Sequence, residues 1–210
     1  MSVKLTYFNL RGRGEIIRYL LKYGGIEFED IRIPFEDWMQ VKPTLPFGQL
    51  PIYEEHGKVS NQTAAIARYL AKKIKIAGTN DWEDLELDAL VDTLHDLLQK
   101  VSNFYHTKDQ QHRTELEKAV LNETIPFYLA RFEEIAKKNF GFLAFGRLTW
   151  ADFFFVSVIE VVDGMTGKDS LQSYPNLQTV MSNVIDLSVI KEWRKERPTD
   201  LSIRCIRPNL

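Results

Sequence analysis

Val3, Leu5 and Tyr7 alternate with Lys4 and Thr6, the period-two pattern of a strand with one buried face. Gly12 and Gly14 punctuate a loop, and Glu15-Ile16-Ile17-Arg18-Tyr19-Leu20-Leu21 then places apolar residues at helical spacing until Gly24-Gly25 stops it. Phe28 to Ile33 reads as a second strand, so the opening predicts a parallel, right-handed β-α-β unit. Leu50-Pro51-Ile52-Tyr53 and Lys58-Val59-Ser60 flank Glu54-Glu55-His56-Gly57 and predict a hairpin. An amphipathic helix from Thr63 to Ile74 completes a β-α-β-β-β-α order within residues 1–78. Gly78-Thr79-Asn80-Asp81 reads as a linker.

After the linker the strand signal ends, and residues 82–200 read as all-helical. Leu87, Leu90, Val91, Leu94, Leu97, Leu98, Val101 and Phe104 keep a seven-residue rhythm, the mark of a long helix packed in a bundle. Leu116 to Ile135 repeats it, with a kink expected at Pro126. Thr149 and Asp152 have capping-box spacing ahead of Phe153-Phe154-Phe155-Val156, which predicts a helix buried nearly all round. Two short helices near 176–186 and 188–195 follow. The tail, residues 201–210, carries no readable pattern. The fold class is therefore α/β plus all-α: a thioredoxin-like β-α-β-β-β-α domain followed by a helical bundle.

Composition narrows the function. Apolar residues make up 44% and charged residues 27%, as in globular domains, and the net charge of −2 gives no footprint for nucleic acid or an anionic membrane. No apolar run is long enough to span a bilayer, and Lys4 interrupts the N-terminus too early for a signal peptide. The single cysteine, Cys205, excludes an internal disulfide and agrees with a cytoplasmic location. Gly12-x-Gly14 lacks the third glycine of a dinucleotide fingerprint, no phosphate-binding P-loop is present, and the four histidines lack metal-ligand spacing. No metal and no cofactor are expected.

The thioredoxin-type order without Cys-x-x-Cys means that any sulfur chemistry must use a ligand's sulfur. A free thiol is only about 3% thiolate at pH 7, so full ionisation needs roughly two pK units, or ~3 kcal/mol. Tyr7, at the rim end of the first strand, could supply this as a hydrogen-bond donor to sulfur; taken alone, it is an ordinary strand aromatic. Leu50-Pro51 taken alone is punctuation before a strand. Gln62-Thr63 opens a helix whose free N–H groups attract an anion. Asp88, Asp92 and Asp96 share one helix face, usually a solvated one.

Lys4-Leu5-Thr6-Tyr7-Phe8-Asn9-Leu10-Arg11-Gly12-Arg13, Pro46-Phe47-Gly48-Gln49-Leu50-Pro51, Ala65-Ile66-Ala67-Arg68-Tyr69-Leu70 and Leu148-Thr149-Trp150-Ala151-Asp152-Phe153 together resemble the cytosolic glutathione transferases. Within that family they resemble the sigma class, which includes the glutathione-dependent prostaglandin D synthases. The resemblance runs from residue 3 to about 200. It implies a dimeric enzyme that adds the thiolate of glutathione, its co-substrate, to hydrophobic electrophiles in detoxification, with peroxidase or prostaglandin isomerase activity in some members. The family also contains refractive lens proteins and ligand carriers with little turnover, so a non-catalytic role is the alternative reading.

The resemblance also implies site roles. Tyr7 would activate the thiol and Arg13 approach it. Trp38 and Lys42 would hold the glycine end of the peptide. In the stretch Gly48-Gln49-Leu50-Pro51 a cis Leu50-Pro51 bond would present Leu50 to the cysteinyl backbone, and Gln62 with Thr63 would take the γ-glutamyl carboxylate. Asp96 would reach the glutathione ammonium across a homodimer, and Phe47 resembles the aromatic key that some classes insert between the partner's helices. His95 stands where metal-binding sigma members carry an acid. Asn103 stands where vertebrate prostaglandin synthases carry a stacking tryptophan, which argues against prostaglandin specificity. Phe8, Leu10, Arg13, Phe104 and Phe154 are the expected wall for the hydrophobic substrate, although core packing explains Phe154 nearly as well.

Overall fold

The computed structural model describes residues 3–198; the tail 201–210 and Cys205 lie outside the described residues. Strand β1 (Val3–Phe8) lies beside β2 (Phe28–Ile33) in parallel, with Tyr7 opposite Arg32. On its other side β1 pairs antiparallel with β3 (Ile52–Glu55), Leu5 opposite Tyr53, and β3 pairs with β4 (Lys58–Asn61). The order β2-β1-β3-β4 makes β1 central. His56 and Gly57 both take positive φ (50° and 75°), the twist that a two-residue hairpin turn requires.

Helices α1 (Glu15–Tyr23) and α3 (Thr63–Lys73) pack together, burying Ile16, Ile17, Leu20, Ile66 and Leu70 with Leu5 and Tyr53 of the sheet. Between β2 and β3 the chain forms a 3₁₀ turn (Phe35–Asp37), the short helix α2 (Trp38–Val41) and two further 3₁₀ turns (Lys42–Thr44 and Pro46–Gly48). The Gly78–Asp81 linker is tied to the helix it precedes. Asn80 caps α4 (Asp81–His106) by accepting from the Trp82 and Glu83 N–H groups at 3.0 Å, and Gly78 N–H donates to Asp84 at 3.0 Å.

The seven-residue rhythm of α4 buries Leu87, Val91, Leu94, Leu97, Val101 and Phe104 against α7 (Trp150–Thr166), itself buried on almost every side. The Thr149 N–H and hydroxyl both donate to Asp152 Oδ2, at 2.7 and 2.9 Å, and Leu143 N–H donates to Oδ1 at 2.8 Å. Pro126, which lacks a donor, does not produce a simple kink. The chain widens into one π turn over Val120–Thr124 between α5 (Gln110–Ala119) and α6 (Ile125–Lys138). Helices α8 (Pro175–Ile185) and α9 (Ser188–Glu196) complete the bundle. The expected fold class is met: a thioredoxin-like sheet followed by a helical domain.

Charged contacts fix α1 against the bundle. Glu15 accepts from Trp193 Nε1 at 2.9 Å and from Arg197 at 2.8 Å, and Tyr19 donates to Glu160 at 2.9 Å. Burial works to raise the Glu15 carboxyl's pKa, but the Arg18 and Arg197 guanidiniums outweigh it and hold the group below its ordinary value. Arg18, fully buried, donates to the Leu10 carbonyl at 2.9 Å and pairs with Glu15 and Asp30. Both ends of the loop between β1 and α1 are therefore anchored.

Candidate functional site

That loop folds back over a phenol on β1. Tyr7 ends the buried run of β1, and its hydroxyl oxygen accepts a hydrogen bond from the Arg13 backbone N–H at 3.0 Å. The loop can close this tightly because it holds glycines. A Cβ on Gly12, at φ 41°, would sit 2.8 Å from the Tyr7 hydroxyl, and one on Gly14 would sit 2.7 Å from Cδ1 of the ring. The sequence marks both residues only as loop punctuation. Burial pushes the phenol pKa up, offset in part by the Arg13 N–H and by the charges of Arg13 and Arg18. Tyr7 is thus a neutral phenol at pH 7 whose oxygen already accepts one hydrogen bond, leaving its O–H as a donor.

A line of contacts leads away from Tyr7 in two directions. On one side the ring meets Phe8 edge-on at 5.7 Å, Phe8 meets Trp38 at 5.0 Å, and Lys42 Nζ lies 5.9 Å from the Trp38 ring centre. A Cβ on Gly48 would stand 3.2 Å from Lys42 Cγ. On the other side the Thr63 hydroxyl lies 3.4 Å from the Arg13 carbonyl, and Gln62 Nε2 lies 3.4 Å from Gln49 Oε1. The Leu50–Pro51 peptide is cis. Gln62 is at φ 73°, an uncommon backbone state for a non-glycine residue just before α3, of the kind that gathers at functional sites. Trp38, Lys42 and Gly48 are thus linked to Tyr7 through Phe8, and Thr63 is linked to it through Arg13, while Gln62 contacts Gln49.

Tyr7 also opens on a cleft of ≈ 370 Å³ between the two halves of the chain. Phe8, Leu10, Gly12, Arg13 and Phe35 line it from the sheet side, and Phe8 and Phe35 stack with ring centres 4.6 Å apart. From the helical side come Leu98, Gln99, Ser102, Tyr105 and His106 of α4 and Val161 and Met165 of α7. A neutral donor beside an apolar cleft, with an anion-accepting helix start nearby, can hold a thiolate next to a hydrophobic electrophile.

Residues 3–72 match the model of the glutathione S-transferase N-terminal domain, and residues 95–197 match that of the C-terminal domain. The chain belongs to the glutathione S-transferase family. It is 40% identical over 195 residues to a glutathione S-transferase of Anopheles gambiae, covering 93% of this chain and 96% of the relative. It is 36% identical over 200 residues to hematopoietic prostaglandin D synthase of Homo sapiens, covering 94% and 97%. The solved structure of prostaglandin synthase D of Nilaparvata lugens superposes with a TM-score of 0.91 at 41% identity, over 95% of this chain and all of that one (100%). These similarities carry the sigma-like character, and the enzyme is a glutathione transferase.

Two residues expected in this transferase's substrate wall lie elsewhere. Phe104 continues the buried stripe of α4 and is 1% exposed, so it faces the core while its neighbours Ser102, Tyr105 and His106 face the cleft. Phe154 is 2% exposed and packs edge-on against Trp150 at 6.2 Å and His95 at 5.1 Å. Successive helical residues are turned by about 100°, so one position decides between core and cleft. Phe8, Leu10 and Arg13 do line the cleft. Phe35, Tyr105 and His106 line it as well; the sequence carries a hint only for the α4 residues, in the second, polar face running Gln99, Ser102, His106. Asp96 is exposed on α4 and is not part of the cleft. Among the described residues no helix is long and apolar enough to cross a membrane.

Proposed function

We propose that Tyr7 activates glutathione in this transferase by donating its hydroxyl to the sulfur. The glutathione thiol gives its proton to solvent, the thiolate forms a bond to an electrophilic carbon, and the leaving group departs with the displaced electron pair. The observation that carries this reading is the Arg13 N–H bond to the Tyr7 oxygen, which fixes the phenol and leaves its proton for donation. Lys42 and Trp38 take the glycine end of the peptide. Gly48, Gln49, Leu50 and Pro51 take its backbone, and Gln62 with Thr63 takes the γ-glutamyl carboxylate. Residues 1–78 then bind glutathione and residues 82–200 face the electrophile.

The protein acts as a cytoplasmic homodimer in this reading. Phe47 is 86% exposed at φ 53°, and a cleft of ≈ 460 Å³ between α4 and α6, lined by Ala89, Leu90, Ile135 and Phe145, is apolar enough to seat it in a second copy. Asp96 of each chain would then approach its partner's glutathione. Conjugation of glutathione to 1-chloro-2,4-dinitrobenzene tests the enzyme against the carrier alternative: turnover abolished by boiling supports it, and glutathione binding without turnover contradicts it.

Prostaglandin isomerase activity is a second reading, favoured by the names of the human and Nilaparvata lugens relatives. Asn103 weighs against it: it is exposed and accepts from Gln99 at 2.7 Å, with no aromatic face to offer there. Formation of a D-series product from a prostaglandin endoperoxide, dependent on glutathione, decides between them.

A further inference from the structure

Tyr7 and Arg13 aside, the polar side chains that line the cleft among the described residues come from α4. The remaining lining, Phe8 stacked on Phe35 with Leu10, Val161 and Met165, is apolar. Ser102 and His106 stand four residues apart and so are neighbours on one face of the helix. Gln99, one turn earlier, is engaged, its Nε2 donating to Asn103 at 2.7 Å. Among the described residues neither the Ser102 hydroxyl nor the His106 ring has a hydrogen-bond partner; the ring makes an edge contact with Tyr105 at 5.2 Å. His106 is exposed, at the rim, and partial burial of its imidazole lowers its pKa, so it is neutral at pH 7 with one N–H to donate.

We propose that Ser102 and His106 form a hydrogen-bonding rail that selects electrophiles whose reactive carbon is conjugated to a carbonyl, with His106 as the specificity-determining residue. The proposal rests on the transferase reading above. When the glutathione thiolate adds to an enone, a sulfur–carbon bond forms at the β-carbon and the alkene electron pair moves toward the carbonyl. The oxygen becomes an enolate, and a proton from water then reaches the α-carbon. A hydrogen bond from the His106 N–H to that oxygen strengthens as the negative charge develops, which is what makes such a donor accelerate the step. A benzylic halide attacked by the same thiolate loses halide and presents no oxygen to the rail.

The test compares kcat/KM for an alkyl enone and for benzyl chloride in the wild type, His106→Leu, His106→Gln and Ser102→Ala. His106→Leu should lower the ratio of the enone value to the benzyl chloride value about tenfold, and His106→Gln, which keeps a donor, should recover most of that ratio. Calorimetry adds a readout independent of turnover. The wild type should bind S-(3-oxobutyl)glutathione about three- to tenfold tighter than S-butylglutathione, and His106→Leu should erase the difference. Equal losses on both electrophiles, or a ketone preference that survives His106→Leu, overturn the proposal. A wild type that turns over neither electrophile would contradict the transferase reading, and the calorimetric preference would still decide the role of His106.

Discussion

The Arg13 backbone N–H donates to the Tyr7 hydroxyl oxygen over 3.0 Å. This one contact links the strand that carries the phenol to the loop that carries the cation. It also explains why the loop is built on Gly12 and Gly14, since a Cβ at either would strike the Tyr7 side chain.

Gly14→Ala should therefore act on catalysis through Tyr7. The added methyl would lie 2.7–2.8 Å from Cδ1 and Cγ of a buried ring, so the ring must move. The expected cost is about 1–3 kcal/mol of stability, with turnover lowered about tenfold or more at saturating glutathione. Urea unfolding and steady-state kinetics measure the two effects separately. Normal turnover would show that the ring position tolerates displacement.

Much of this arrangement is legible along the chain. Strand β2 falls on Phe28–Ile33 as the alternation predicts, and α3 begins at Thr63, because both depend on local pattern and on turn residues. Phe104 and Phe154 show where the pattern stops. The apolar rhythm of α4 says that Phe104 is buried, but not whether it is buried in the core or in a substrate cleft. That distinction depends on which face of α4 meets the sheet, a long-range fact. Phe35, following Pro34 on a short connection, stacks on Phe8 without any periodic signal.

Lys42→Ala and Gln62→Ala should weaken glutathione binding with little change in turnover. In the proposed binding mode both contact ends of glutathione remote from its sulfur, so their contacts contribute equally to ground and transition states. An increase in KM for glutathione of about tenfold is expected, with kcat within about twofold. Loss of kcat at saturating glutathione, with KM unchanged, would contradict the assigned roles.

In the proposed homodimer, Phe47→Ser should weaken self-association. An aromatic anchor at an interface centre contributes about 2 kcal/mol or more, so the dimer should dissociate at protein concentrations where the wild type sediments as one species. Asp96→Asn should then raise KM for glutathione in the dimer alone. A fully active wild-type monomer at micromolar concentration would contradict both roles.

Asp152 gives a pH prediction. Burial raises its pKa to about 6, against the hydrogen bonds from Leu143 and Thr149, which favour the carboxylate. The folded protein therefore holds the Asp152 proton at pH values where the unfolded chain has lost it. This stability contribution is fully present below pH ~4 and is lost as pH rises through ~6, by roughly 2–3 kcal/mol. Urea midpoints from pH 4 to 7 should show this decline in the wild type relative to Asp152→Asn. Parallel profiles would contradict it.

The most direct test is the ionisation of bound glutathione. Thiolate absorbance, titrated in the binary complex, should show a midpoint about two pK units below that of free glutathione in the wild type. Tyr7→Phe should return the midpoint most of the way to the free value, with glutathione affinity nearly unchanged and turnover reduced about 10- to 300-fold. A midpoint that stays depressed in Tyr7→Phe would contradict the account, because some group other than the Tyr7 hydroxyl would then be stabilising the thiolate.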